Sequence, residues 1–250
     1  MSDPVRVVDD GEVRVVTLDR PDQRNALTGD ALDAIRDAVR DPPPVVHIHG
    51  AGSAFSAGAD LGEVRRVATM VDAAAGDEPM NPDEARDVVG PFVRKGQRTA
   101  RAVEESDAIV VAGIDGAARG GGVELALACD IRVATPDATF AEPGVTFGLF
   151  GAWGGTARLP KIVGQGDALD LSVSGRVIDA DEALRMGLVQ RVVDDPLVVS
   201  ETLAENNAMA MRLVKERVRD DQPLEVQEER EARAFAALVA EYAGELAERE

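Results

Sequence analysis

The chain carries one cysteine, two histidines, three lysines and few aromatic side chains, and each shortage excludes something. With Cys129 alone, no intramolecular disulfide and no cysteine-based zinc cluster can form. Cys129 stands in an apolar run, which predicts a buried, inert thiol rather than a nucleophile. The only histidines, His47 and His49, share one face of a predicted strand. No third histidine and no H-E-x-x-H helix accompanies them, so the pattern predicts a packed or edge-facing pair and no metal site. Aromatic residues make up 3% against 45% hydrophobic, so the core must be built mainly from Ala, Val, Leu and Ile. No window approaches the roughly 18 continuous apolar residues of a membrane span. Near the N-terminus stand Asp3, Asp9, Asp10 and Glu12, where a signal peptide would need a basic and then an apolar stretch. A soluble cytoplasmic protein is the expectation. Neither G-x-G-x-x-G nor G-x-x-x-x-G-K-[ST] occurs in the glycine-rich loops, which disfavours a dinucleotide or nucleotide fold. Ser53 and Ser56 are not framed as G-x-S-x-G, so a serine-hydrolase elbow is disfavoured as well.

What is abundant is acid. Asp and Glu number 46 against 27 Lys and Arg, a formal charge of -19, which would repel nucleic acid and anionic membranes alike. The basic side is almost all arginine, lysine occurring only at Lys95, Lys161 and Lys215. Acid excess on a lysine-poor, alanine-rich background points to a protein suited to concentrated salt, where self-repulsion is screened. At 250 residues the chain can bury a core as one large domain or two small ones.

In chain order, residues 5–8 and 13–18 flank an Asp-Gly turn and read as a β-hairpin. Thr28 is placed to cap a helix with Leu32, Ile35 and Val39 on one face, ended by Pro42, Pro43 and Pro44. A strand at 45–49 leads into a glycine-rich loop, residues 50–60. From Leu61 to about Arg98 the pattern reads as helical pieces around a polar, proline-broken loop at 77–83, a candidate lid, before a helix at 101–105. The apolar run 108–114 predicts a buried strand, followed by Gly120, Gly121 and Gly122 and a run of helix formers that includes Glu124. Backbone N–H groups at such a helix start, with a carboxylate a few residues on, suit a site that polarises a carbonyl and moves a proton beside it. A glycine turn serving only tight packing is the alternative. Short strands at 131–134 and 139–141 precede a third glycine-rich region, 142–160. Helices are predicted near 168–173 and at 181–186, the latter capped by Asp179 and closed by Gly187, then a strand at 188–193 and helices from 198 to 218 and from 225 onward. Phe235, Leu238, Val239, Tyr242 and Leu246 form a helical stripe suited to a core or a subunit contact.

Residues 20–27 (R-P-x-x-x-N-A-L), 53–61 (S-A-F-S-A-G-A-D-L) and 116–160, with G-G-G-V-E-L-A-L-A-C-D-I-R-V-A and W-G-G-T-A-R-L-P, resemble the crotonase superfamily of enoyl-CoA hydratases and isomerases. The resemblance implies an α/β fold, a spiral of ββα units over residues 1–195 with a helical C-terminal trimerisation region at 196–250. It implies a homotrimer or a dimer of trimers acting on a coenzyme A thioester, with the thioester as substrate and no separate cofactor. In such enzymes two backbone N–H groups hold the thioester oxygen; the matching positions are Ala59 and Gly121, and Glu124 matches the first of two catalytic glutamates. Arg24, Ala26, Ala57, Asp60, Leu61, Gly120, Gly144 and Trp153 are the implied substrate-binding positions. The second glutamate of the family belongs to an F-x-x-P-E segment, which reads Phe140-Ala141-Glu142-Pro143-Gly144 in this chain, so Gly144 stands in its place. On an extended strand, Glu142 would face the same side as Gly144 but about 6–7 Å away. Hydration of a trans-2-enoyl-CoA is the expected reaction. Another crotonase reaction (isomerisation, decarboxylation or thioester hydrolysis) and a catalytically weak acyl-CoA binder are the alternatives.

The acidic composition generates a first prediction. Raising KCl should hold or increase the melting temperature, because added salt screens self-repulsion; a steady fall in melting temperature with KCl would overturn the adaptation to salt.

Overall fold

The computed structural model describes residues 3–75 and 78–248. Val5–Asp10 (β1) and Val13–Leu18 (β2) pair antiparallel around Gly11, whose φ of +58° suits a residue without Cβ. Gly29–Ala38 (α1) follows, with the Thr28 hydroxyl accepting the Ala31 amide at 3.2 Å. Three structural turns then repeat one plan. Val45–Gly50 (β3) and Ala54–Ser56 (β4) lead to the helices Leu61–Ala75 (α2) and Pro82–Glu104 (α3). Ile109–Ile114 (β5) and Ala117–Arg119 (β6) lead to Gly121–Ala128 (α4), and Ile131–Ala134 (β7) and Thr139–Ala141 (β8) lead to Gly155–Ser174 (α5). Ile178–Asp179 (β9), Ala180–Met186 (α6) and Arg191–Val192 (β10) complete the two sheets.

Each repeat gives its first strand to one sheet and its second strand to another. The larger sheet has the order β1-β2-β3-β5-β7-β10 and the smaller β4-β6-β8-β9. Apart from the β1–β2 and β8–β9 pairs, every pairing is parallel, as consecutive turns wound in one sense require. This is the spiral of ββα units that the sequence motifs imply.

Strand alternation decides where the core sits. Val46 and Ile48 of β3, with Val110, Ala112 and Ile114 of β5, face the main core, into which α1 sends Leu32 and Ile35. Val45, Val111 and Val133 face the other way and are covered by Val199 of Leu197–Ala204 (α7). His47 and His49 lie on that second face with their rings 5.5 Å apart. His47 Nδ1 is 2.8 Å from the Ser200 hydroxyl and His49 Nε2 is 3.0 Å from that of Thr17. Burial holds both imidazoles below their ordinary range, His47 down to about 4, so they are packed as neutral rings. Among the described residues no group of three or more His, Cys, Asp or Glu could hold a metal ion. Cys129 is buried, and burial pushes its thiol up to about 12.

Several boundaries depart from the sequence expectations for identifiable reasons. The helix placed at 101–105 is the end of α3, a single helix that begins at Pro82 because proline is tolerated in a first turn; Asn81 and Glu84 close its capping box. The polar loop assigned to 77–83 thus shrinks to the residues before Pro82, and its first member, Asp77, lies outside the described residues. The helix placed near 168–173 starts at Gly155, with a break at Gly164, whose φ is +82°. The strand placed at 188–193 keeps only two ladder residues. The helix placed at 198–218 is divided by Asn207, which caps Ala208–Val218 (α8) through the Ala210 amide. Leu224–Glu241 (α9) and Ala243–Glu248 (α10) end the described chain, and Phe235 and Leu246 on them are 67% and 46% exposed, so their stripe is not part of this chain's core. No described helix is long and apolar enough to cross a membrane.

One buried ion cluster ties α8 to the large sheet. Lys215 Nζ lies 2.8 Å from Asp130 and donates to the carbonyls of Ser106 and Ala108 at 2.7 Å, and Arg219 also pairs with Asp130 at 2.8 Å. The Asp130 carboxylate in turn accepts the Val110 amide at 2.8 Å, so sheet and helix share one acceptor. Asp130→Ala should lower stability by about 3–5 kcal/mol, since it strands a buried ammonium. A denaturation midpoint close to wild type would show that the cluster does not hold α8.

Candidate active site

The site is assembled where the two sheets' connecting loops converge. Asn25 does much of the joining. Its own φ is +56°, its Oδ1 accepts the Arg20 amide at 3.0 Å, and its Nδ2 donates to Ala51 and Ala54 carbonyls at 2.9 and 2.7 Å. The Asn25 carbonyl takes the Ser56 hydroxyl at 2.8 Å, and Ser56 Oγ accepts the Gly58 amide at 3.1 Å. Ser56 is fully buried and spent on these bonds, which removes it from nucleophilic chemistry. Leu27 and Ala59 then form a one-residue parallel bridge in which Leu27 donates to Gly58 and Asp60 donates to Leu27. In that pattern the Ala59 amide points away from Leu27.

Gly58, at φ +88°, brings this loop against the start of α4. A Cβ there would lie 2.5 Å from the Arg119 carbonyl oxygen and 2.9 Å from the Gly121 amide nitrogen. A Cβ on Gly121 would likewise lie 3.2 Å from the Ala59 nitrogen. The backbones of residues 58–59 and 119–121 are therefore in contact, and the Ala59 and Gly121 amides make no hydrogen bond to any described residue. Gly120, at φ +47°, caps α4 and donates its own amide to Ala141, which leaves Gly121 as the first unpaired donor of the helix. Two neighbouring unpaired amides, one of them at a helix N-terminus, can stabilise negative charge on an oxygen.

Glu124 lies one turn into α4 and is 2% exposed. Its Oε1 accepts amides from Trp153 at 2.8 Å and Gly155 at 2.7 Å. The loop can wrap the carboxylate because residues 151 and 155 have no side chains: a Cβ on either would come within 2.9 Å of Glu124 atoms. Burial raises the Glu124 carboxyl above the ordinary range, opposed by the Gly155 and Trp153 amides and the charge of Arg158. Oε1 is thus taken up by backbone, and no described residue makes a hydrogen bond to the second oxygen.

The remaining sequence-chosen residues separate into two groups. Arg24 and Ala57 are exposed and joined by the Ala57 amide to the Arg24 carbonyl at 2.8 Å. Ala26 accepts Arg20 through its carbonyl, while Asp60 pairs with Arg20 at 3.0 Å and accepts the Gly62 amide at 2.9 Å; Leu61, 58% exposed, starts α2. Trp153 is buried. Its ring fills the space beside Gly96 and Gly121, where a Cβ would come within 2.2 and 2.5 Å of it, and it lies 5.8 Å from the Phe92 ring. Gly144 is packed against the 149–150 backbone, with a hypothetical Cβ 2.9 Å from Phe150 Cα and 3.0 Å from the Leu149 oxygen, so this backbone gives a glutamate no room. Glu142 does not lie on an extended strand: β8 stops at Ala141, as the sequence predicts, and Pro143 opens a short 3-10 turn, residues 143–147. The clamp by Gly151 and Gly155 was not anticipated from sequence, though the density of glycine at 144–155 was its visible trace.

A family model described as enoyl-CoA hydratase/isomerase matches residues 9–243. A crotonyl-CoA hydratase of Syntrophomonas wolfei is 37% identical over 216 residues, covering 82% of this chain and 76% of that protein. An enoyl-CoA hydratase structure from Thermoplasma volcanium superposes with a TM-score of 0.81 at 31% identity, covering 96% of this chain and 93% of that one. A Thermobifida fusca protein solved in complex with CoA gives 0.81 at 30% identity, covering 96% and 95%.

Gly58→Ala places a methyl against backbone at a left-handed φ. It should cost about 1–3 kcal/mol in folding stability. An unchanged melting temperature would show that the two loops do not meet so closely.

Proposed function

Because this chain belongs to the enoyl-CoA hydratase/isomerase family, we propose that it hydrates a trans-2-enoyl-CoA. The observation that carries this reading is the pair of unpaired amides at Ala59 and Gly121 beside a buried glutamate anchored through one oxygen only. The thioester carbonyl accepts both amides. As water adds to the β-carbon, electron density moves onto the thioester oxygen, and each amide donor is worth about 3–4 kcal/mol of barrier. Glu124, through the oxygen not held by Trp153 and Gly155, takes the proton from the attacking water. A proton then reaches the α-carbon and the 3-hydroxyacyl thioester leaves. The CoA thioester is the substrate, and the chemistry calls for no additional cofactor.

In this reading Arg24, Ala26, Ala57, Asp60 and Leu61 line the approach of the CoA portion. Gly120 and Trp153 act from behind, shaping the turn that presents Gly121. The uncovered stripe on α9 and α10 supports self-association as a homotrimer or dimer of trimers through residues 196–250, in a cytoplasmic enzyme.

Crotonyl-CoA hydration, followed as loss of enoyl absorbance at high KCl, tests the reading. Glu124→Gln should lower kcat about 100-fold or more while acetoacetyl-CoA still binds. Tight acyl-CoA binding with no wild-type turnover would favour the binding protein instead. The pH dependence has a defined sign. Glu124 must be ionised to accept a proton, and burial raises its carboxyl, so kcat should fall on acidification at a pH above that of an exposed glutamate.

A further inference from the structure

Beside Glu124 lies a second carboxyl, that of the half-buried Glu142, which has no role in the reaction described above. Glu142 follows β8 directly, next to Ala141, whose carbonyl accepts the Gly120 amide of the α4 cap. Its Oε1 is withdrawn from solvent and has no hydrogen-bond partner among the described residues. The side chain borders a cavity of about 20 Å³ shared with Phe150, Gly151, Gly155, Thr156 and Ser172. Gly151 and Gly155 are the same residues that wrap Glu124, so the two carboxyls border the same two glycines. A buried acid oxygen without a donor is costly if ionised, and it is tolerated at an isolated position only when protonated.

Hydration needs a proton source as well as a base. We propose that Glu142 is the proton donor of this site, delivering its carboxyl hydrogen to the substrate α-carbon. The inference rests on the hydration reading, and the steps balance. Water oxygen bonds to the β-carbon and its proton goes to Glu124; the enolate electron pair forms the α-carbon–hydrogen bond with the proton of Glu142. A proton passing from Glu124 to Glu142 restores both. Sharing one proton is natural for two carboxyls confined together, since ionising both would place like charges in an apolar site.

The electrostatics agree. Burial first, and the Glu124 charge second, push the Glu142 carboxyl up to about 8, which keeps it protonated at neutral pH. The other charged group near the pair is Arg158 of α5, which acts on Glu124 and is tied to Glu104 at 2.6 Å. The cavity residues Phe150, Gly151, Gly155, Thr156 and Ser172 carry no charge.

The experiment compares wild type with Glu142→Gln, an isosteric change, by three measurements. These are crotonyl-CoA hydration across pH, exchange of the α-hydrogens of butyryl-CoA in D2O, and acetoacetyl-CoA binding as a check that the site is intact. With binding retained, the variant should lose about 100-fold or more in both hydration and exchange. The wild-type rate should also fall as pH rises through about 8, when the donor ionises, and the residual activity of the variant should lack that limb. Hydration and exchange both near wild type in Glu142→Gln would overturn the proposal and leave the hydratase reading standing. Wild-type exchange without hydration, abolished in the variant, would sink the hydratase reading and keep Glu142 as donor. No exchange in the wild type would overturn the assignment of Glu142 outright. If Glu142→Gln fails to bind acetoacetyl-CoA, Glu142→Ala with added formate replaces it, and restored exchange supports the donor role while none overturns it.

Discussion

The contact between Gly58 and the backbone of residues 119–121 is the constraint on which the site depends. Two loops leaving different strands of the small sheet must come within van der Waals distance, and any side chain at Gly58 would occupy the space of the Arg119 carbonyl. The left-handed φ at Gly58 turns the Ala59 amide away from Leu27, and the helix start at Gly121 supplies the second amide. Neither donor is costly to the fold, because an amide at a helix N-terminus has no partner within the helix in any case. The same glycines that permit close approach thus leave hydrogen-bonding capacity unspent where a substrate can use it.

Electrostatic preparation around Glu124 follows a similar logic. A buried carboxylate would ordinarily protonate, yet two amides and a nearby arginine oppose that tendency. Glu142 has no such donors for its buried Oε1 among the described residues, and burial together with the Glu124 charge pushes its carboxyl up to about 8. Two chemically identical side chains on either side of a glycine loop are thereby separated in proton affinity by the placement of backbone N–H groups.

Much of this was legible in the sequence. The alternation of Val45 to His49, the Thr28 and Asp179 caps and the glycine triplet before Glu124 are local signals, and local physics honours them. The pairing of Ala59 with Gly121 required the family motifs, since nothing in either segment alone encodes its partner across 62 positions. The burial of Trp153 was illegible because it depends on Gly96, in a helix whose continuity through Pro91 the sequence obscured. The surroundings of Glu142 were missed for another reason: the strand ends at Ala141 as expected, but the 3-10 turn that Pro143 opens is set by packing against later residues.

The solitary cysteine has a use that its chemistry does not advertise. Cys129 ends α4, one residue before the Asp130 carboxylate that joins sheet to α8, and its thiol is both covered and held in the protonated form. A thiol reagent can therefore reach it only when this part of the molecule opens. Its labelling rate is a built-in clock for the opening of the structure behind the helix that carries Gly121 and Glu124, in a chain with no other sulfhydryl to confuse the reading.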